Sequence, residues 1–200
     1  QFQQARLKPR TMNTQAEIPI KGHEDYTIGW VCALPIEQTA AMAMLDETHT
    51  DLHKTENDPN AYTLGSVGAH NIVIAFLPDG RYGNNPAATV AAWMVASFPK
   101  VKFGLLVGIG GGIPPKVRLG DVVVSRPGNA YPGVVQWDLG KAETGGKLKH
   151  TGSLNNPPTE LSTAVSKLRS RHQINGSRIR EFLDHVEQKY PRLKPRYTRA

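Results

Sequence analysis

The distribution of apolar residues along the chain predicts strands that alternate with helices. Five apolar runs of strand length are bounded by polar or glycine-containing turns, and they span residues 26–33, 61–67, 71–77, 102–109 and 119–125. Helices are predicted beside prolines that can begin or end them, at residues 36–48, 86–98, 159 to about 172, and 177–190. Such alternation is typical of layered α/β folds, and it predicts residues 102–109 as the central strand.

The remaining segments are predicted as a tail, loops and one weaker strand. Residues 1–25 are polar and lack periodicity, which predicts a disordered tail. Residues 134–139 form a further apolar run, and loops are predicted at residues 49–60, 78–85 and 140–146. We therefore expect one domain over residues 26–172, followed by a basic helix and tail over residues 173–200.

The positive charge of the chain is concentrated at one end. The net charge is +7, and residues 167–200 contain ten Lys or Arg against three acidic residues, so the preceding chain is balanced. A solvated terminal helix and tail explains this distribution better than a nucleic-acid interface does. We therefore do not expect a nucleic-acid partner.

Cysteine and histidine usage limits the environment and the metal chemistry. The single cysteine, Cys32, excludes an internal disulfide and fits a reducing compartment. No apolar run reaches membrane-spanning length, so we expect a cytoplasmic protein without a membrane partner. His49 and His53 are four residues apart, but no HExxH pattern accompanies them, and no metal site is predicted.

The run LLVGIGGGI, residues 105–113, ends a predicted strand with four glycines. Glycine lacks Cβ, so a ligand can approach the main chain of such a loop closely. The run is neither a dinucleotide fingerprint nor a phosphate-binding P-loop, because Pro114-Pro115 follow it and no Gly-Lys-Ser/Thr is present. From the residues alone, a tight turn and a ligand-binding loop both stay open.

Four segments in this order together resemble the nucleoside phosphorylase and nucleosidase superfamily. They are IGWVCALPIE, GNNPAATVAA, LVGIGGGI and LGDVVVS, and TGSLNNPP resembles the variant common in fungi, where the domain often begins a multidomain immune-type receptor. The resemblance implies an α/β three-layer fold with a mixed central sheet. It also implies cleavage of the N-glycosidic bond of a purine nucleoside or nucleotide, without a cofactor.

The resemblance also assigns expected roles to individual residues. Glu37 matches the carboxylate that hydrolytic members hold near the attacking water, although an acid in the first turn of a helix also has a purely structural use. The loop that lies along ribose and base matches Gly108, Ile109, Gly110, Gly111 and Gly112.

The acceptor of the glycosyl group is expected to be water. Leu106 and Ile109 are apolar where one phosphorylase branch has an arginine and a serine that bind phosphate. Phosphate stays possible because Arg81, in the preceding loop, offers a cation. A phosphorolytic enzyme is therefore the nearest alternative.

The resemblance is incomplete in the C-terminal part. Nothing after Leu161 resembles the glutamate that grips ribose hydroxyls or the aspartate that protonates the purine. We therefore expect the N-terminal half of the fold with its C-terminal part missing, and little activity in the isolated chain. A catalytically inactive nucleoside-binding or interaction module of an immune-type receptor stays open, as does a homo-oligomer.

Overall fold

The computed structural model describes residues 21–128 and 131–194, and this part of the chain is a mixed α/β domain. The strands are β1 Ile28–Cys32, β2 Glu47–Thr48, β3 Tyr62–Val67, β4 His70–Phe76, β5 Phe103–Leu106, β6 Gly140–Glu143 and β7 Lys147–His150. The helices are α1 Pro35–Ala43, α2 Asn84–Ser97, α3 Thr159–Asn175 and α4 Ile179–Lys189. A short 3-10 helix, His23–Asp25, precedes β1, in a segment predicted to be disordered; residues 1–20 lie outside the described part.

The main sheet has five strands in the order β2-β3-β4-β1-β5. Strand β1 pairs in parallel with β4 on one side and with β5 on the other. Strands β3 and β4 form the predicted hairpin, and β2 adds antiparallel to β3. The parallel part thus has three strands whose carboxyl ends lie at one edge, which we call the carboxyl edge.

Apolar side chains of alternate strand residues cover both faces of this sheet. On one face, Val31, Val73 and Ala75 pack against Val90 and Met94 of α2. On the other face, the intervening strand residues Cys32, Ile72 and Ile74 pack against Ala41 of α1 and against Leu45, which follows that helix. The sheet is therefore covered by α1 on one face and by α2 on the other, as buried parallel strands require.

A buried polar cluster fixes the long loop before β3 to the end of α2. The Asp58 carboxylate accepts hydrogen bonds from Ser97 Oγ at 2.5 Å, Tyr62 Oη at 2.7 Å and the Asn60 backbone N–H at 2.9 Å. The Asn60 side chain in turn donates to the Val90 carbonyl at 2.9 Å. The polar groups of this cluster are hydrogen-bonded to one another or to backbone. We therefore assign the cluster to stabilising the loop and not to binding a ligand.

The structure corrects the predicted position of the central strand. Residues 102–109 were expected at the centre of the sheet, but β5 covers only Phe103–Leu106 and lies at an edge, and β4 occupies the middle. The outer side of β5 has no ladder partner within the described residues. Local pattern identifies a buried strand but not the order of strands in a sheet.

Four further predictions of local structure were wrong. Residues 119–125 and 134–139 have strand composition but belong to no ladder, because strand propensity becomes structure only where a neighbouring strand supplies pairing. The predicted loop 140–146 instead contains β6, which pairs with β7 through a glycine-rich turn. The first helix ends at Ala43 rather than at residue 48, and Glu47–Thr48 joins the sheet.

The two C-terminal helices are confirmed, and neither has a buried residue. Their predicted separation into a domain over residues 26–172 and a basic end stays a prediction. Within residues 21–128 and 131–194, no helix is both long and apolar enough to cross a bilayer.

A half-buried histidine, His49, makes the stability of the domain dependent on pH. Lys21 Nζ lies 2.7 Å from His49 Nε2, and Tyr26 Oη lies 2.9 Å from His49 Nδ1. A lysine ammonium only donates, so Nε2 accepts and the neutral ring carries its hydrogen on Nδ1. Burial and the Lys21 charge lower the pKa of His49, against a smaller opposing effect of Glu47.

We expect the free energy of unfolding to fall as the pH drops through the ordinary histidine pKa of 6.5. The unfolded chain takes up the proton at a higher pH than the folded chain, so stability is complete only above that value. Urea unfolding from about pH 7.5 to 5.5 measures this slope. His49→Gln should flatten it, whereas His70→Gln, at an exposed position, should leave it unchanged; equal slopes in all three proteins would contradict the expectation.

The unpaired edge of β5 predicts association of the isolated chain. Leu106 is 79% exposed on this edge, and no charged residue lies within β5 to discourage pairing with another chain. We expect concentration-dependent oligomers in size-exclusion chromatography with light scattering. Leu106→Lys should shift the chain towards monomer, whereas Leu168→Lys on exposed α3 should not. A monodisperse monomer in the parent chain would show that the edge is protected.

Candidate functional site

Three loops leave the carboxyl edge of the parallel strands. Ala33 and Leu34 join β1 to α1, the segment from Val107 to Gly112 follows β5, and the loop that contains Arg81 follows β4. In open α/β sheets, ligands bind beyond this edge. Because β1 lies between β4 and β5, the loops after β1 and β5 are direct neighbours, and the Arg81 loop lies on the opposite side of β1.

The Glu37 carboxylate connects two of these loops. Glu37 lies in the first turn of α1 and is 9% exposed. Its Oε2 accepts the backbone N–H groups of Ala33 at 2.7 Å and Leu34 at 3.0 Å, and its Oε1 accepts the N–H of Ile109 at 2.8 Å. One side chain thus holds the start of α1 and the loop after β5 in contact.

These hydrogen bonds keep Glu37 ionised. Burial of the carboxylate acts to raise its pKa, but the N–H donors of Ile109, Ala33 and Leu34 together lower the pKa below its ordinary value. A carboxylate has about four acceptor positions, and three are used here, two of them on Oε2. One acceptor position therefore remains on Oε1.

Gly108 has no room for a side chain. A Cβ atom built at this residue would lie 2.8 Å from Glu37 Cδ and still closer to Oε1. Gly110 and Gly111, by contrast, have no atom within 4 Å of such a Cβ. The close approach of the glycine loop to Glu37 therefore depends on one glycine of the four.

A half-open cavity of about 1060 Å³ lies in front of this contact. Its inner wall includes Trp30 of β1, Glu37 of α1, and Gly108 and Ile109 of the glycine loop. Its outer wall comes from the turn that contains Arg118 and Asp121, and from α4 and the residues just after it. The volume is at the upper end of the range for small-molecule pockets.

The structure brings together only some of the residues predicted for a site. Glu37, Gly108 and Ile109 line the cavity, whereas Gly110, Gly111 and Gly112 are not among its described lining residues. Arg81 is exposed in a turn, where its backbone N–H donates to the Pro78 carbonyl at 3.0 Å, and it does not line the cavity either. No group of three or more His, Cys, Asp or Glu that could hold a metal occurs in residues 21–128 and 131–194.

Sequence reasoning missed Trp30 and α4 as parts of the cavity. The period-two alternation of strand residues could have placed Trp30 beside α1, because Ile28, Trp30 and Cys32 share the face that packs towards that helix. The α4 residues carry no such signal, since only tertiary packing places them opposite Glu37. Asp121 lies in the segment 119–125, which was predicted to be a strand, and instead closes a turn in which its carboxylate accepts from the Arg118 N–H at 2.9 Å.

Comparison with known proteins finds a relative that covers most of this chain. A protein described as "Nucleotide-binding leucine-rich repeat (NLR)-like protein", from Hyaloscypha variabilis, is 48% identical over 180 residues, which are 88% of this chain and 18% of the relative. The chain thus spans less than a fifth of the relative's length. No family model matches the chain. No solved structure matches it.

The contact between Gly108 and Glu37 predicts that a methyl group destabilises the protein at position 108 but not at position 110. Gly108→Ala should lower the free energy of unfolding by about 1–3 kcal/mol, because the new Cβ displaces the carboxylate from its donors. Gly110→Ala should change it by about 0.5 kcal/mol or less. Urea unfolding of the two variants checks this, and indistinguishable losses would contradict the proposed role of Gly108.

Proposed function

We propose that this chain is a nucleoside-phosphorylase-type domain that binds a purine nucleoside or nucleotide in the cavity in front of Glu37. In the protein to which it belongs, the domain cleaves the N-glycosidic bond with water as the acceptor. The three-layer arrangement and the mixed central sheet of that family are part of the proposal. The observation that carries it is the contact of an ionised carboxylate with a glycine loop at the carboxyl edge of the sheet.

The free acceptor position on Glu37 supports a role in positioning water. A water that donates to Oε1 would lie at the boundary of the cavity, beside Gly108 and Ile109. As the glycosidic bond breaks, its electron pair leaves with the base, and the sugar carbon develops oxocarbenium character. The water oxygen then bonds to that carbon, and Glu37 accepts the water proton.

The lowered pKa of Glu37 limits how well it performs this step. A carboxylate that already accepts three N–H groups is a weak base, so its contribution lies as much in orienting the water as in removing its proton. The departing base also needs a proton. The two carboxylates besides Glu37 that line the cavity, Asp121 and Glu187, are paired with Arg118 at 3.2 Å and with Lys194 at 3.2 Å. We therefore expect slow turnover from the chain alone.

The charges around the cavity favour water and a neutral nucleoside. Three cationic and three acidic side chains line it, so the wall offers no net attraction to an anion. Ile109 lines the cavity and is apolar, and neither Leu106 nor Arg81 is among the described lining residues. Phosphorolysis and phosphorylated sugars are thus less well supported.

A second candidate is a non-catalytic nucleoside-binding module of a multidomain receptor. Two observations favour it: the Glu37 carboxylate is largely saturated by backbone donors, and the relative is named as an NLR-like protein of which this chain matches a small part. In that role the same cavity would report nucleoside occupancy to the rest of the protein. A homo-oligomer formed at the β5 edge is compatible with both candidates.

Base release distinguishes these candidates. We expect the chain, in excess over adenosine or inosine, to bind the nucleoside by calorimetry and to release free base slowly, with and without phosphate. Glu37→Gln should reduce release by about 100-fold or more. Glu56→Gln, at an exposed loop position, is the matched control and should match the parent chain.

The folded fraction of each variant must be measured beside its turnover. A glutamine at position 37 places an amide NH₂ against at least one backbone N–H, so Glu37→Gln should also lower stability by about 1–3 kcal/mol. Release that requires phosphate and yields ribose 1-phosphate would overturn the hydrolytic proposal. Binding without release would favour the second candidate, and the absence of binding would refute both.

A further inference from the structure

Helix α4 forms the outer wall of the cavity that contains Glu37. Leu183 and Val186 of α4 line the same space as Glu37 and Ile109. A segment distant in sequence provides this wall, since Lys189 of α4 contacts Leu45 at a separation of 144 residues. Any ligand that reaches Glu37 therefore lies under or beside α4.

The attachment of α4 to the body of the domain is thin. Lys189 Nζ donates to the Leu45 carbonyl at 2.8 Å and lies 3.4 Å from the Asp46 carbonyl. No α4 residue is buried, and neither apolar cluster of the sheet includes one. Leu183 is still 48% exposed although it faces the cavity. Few apolar contacts and an exposed backbone characterise segments that open locally.

Ion pairs within α4 and at its two ends help it to persist as a helix when it leaves the body. Arg178 Nε lies 2.7 Å from Glu181 Oε2, and Arg180 Nε lies 2.9 Å from Asp184 Oδ1. Side chains three or four residues apart are neighbours on the surface of a helix. Lys194, just after the helix, pairs with Glu187 at 3.2 Å. These contacts lie within α4 and its flanks, so they survive detachment from the body of the domain.

The connection to α3 provides a point at which α4 can turn. Gly176 follows α3 with φ +75°, a conformation that glycine adopts without strain. Helix α3 itself has no buried residue. The α3–α4 pair therefore has no large apolar contact that would hold it in one position within the described part of the chain.

We propose that α4 is a displaceable cover that opens to admit a nucleoside and closes over the occupied cavity. With α4 in place the cavity measures about 1060 Å³, which leaves room for the ligand, so the cover closes over the nucleoside without competing with it. Closure shields the Glu37 carboxylate from bulk water, which strengthens its interaction with a bound sugar. For the identity of the ligand, this inference rests on the proposed function.

Hydrogen exchange of the full 200-residue chain tests the cover without an activity measurement. Lys189→Met removes the Nζ contact and keeps the side-chain stem, whereas Lys167→Met removes an exposed lysine of α3 and is matched in net charge. We expect Lys189→Met to accelerate amide exchange in α4 and in the peptide that contains Ile109 by about tenfold. Lys167→Met should leave both unchanged, and strand β4 should exchange equally slowly in all three proteins.

Addition of adenosine separates the cover from the proposed function. Slower exchange of α4 and Ile109 with adenosine, in the parent chain more than in Lys189→Met, supports the linked cover. An effect of Lys189→Met in the absence of any adenosine effect supports the cover and refutes the nucleoside as its ligand. Unprotected α4 amides in the parent chain, or equal exchange in both lysine variants, would overturn the cover itself.

Discussion

The organisation of the candidate site depends on one buried carboxylate that accepts three backbone N–H groups. Glu37 joins the end of β1, the start of α1 and the loop after β5 into one unit. Hydrogen bonds to a charged group contribute about 1.5–3 kcal/mol each, and an ionised carboxylate this deeply buried would be costly without them. Gly108 is the counterpart of this arrangement, because only a residue without Cβ lets the loop approach the carboxylate.

This arrangement connects the two candidate functions. Donors that keep Glu37 ionised and fixed in place also weaken it as a base, so the same three hydrogen bonds suit a rigid binding pocket and a slow hydrolase. What separates the two is whether the remaining acceptor position on Oε1 holds a water in line with a sugar carbon. The binding module and the slow hydrolase would share this protein geometry. They would differ in whether the bound nucleoside reacts with a water at Glu37.

Much of the fold could be predicted from the sequence where short-range pattern decides. The strand β1, the β3–β4 hairpin and the helices α2, α3 and α4 follow from apolar runs, prolines and glycines that act over a few residues. The resemblance placed Glu37 and the glycine loop in one site, but their direct contact was not predicted, since the two are 72 residues apart. The edge position of β5, the unpaired valines 122–124 and the α4 wall could not be predicted, because each depends on which distant segment lies alongside.

The position of β1 between two strands that follow it in the chain has a consequence for synthesis on the ribosome. β1 pairs with β4 and with β5, so Ile28 meets Ile72 on one side and Phe103 on the other. An emerging chain therefore carries an apolar first strand that has no partner until β4 has been made, and its other side stays unpaired until β5 follows. Such delayed pairing over long loops slows folding and exposes the nascent chain to association. The β3–β4 hairpin forms from neighbouring residues, and its strand β4 provides the first partner of β1.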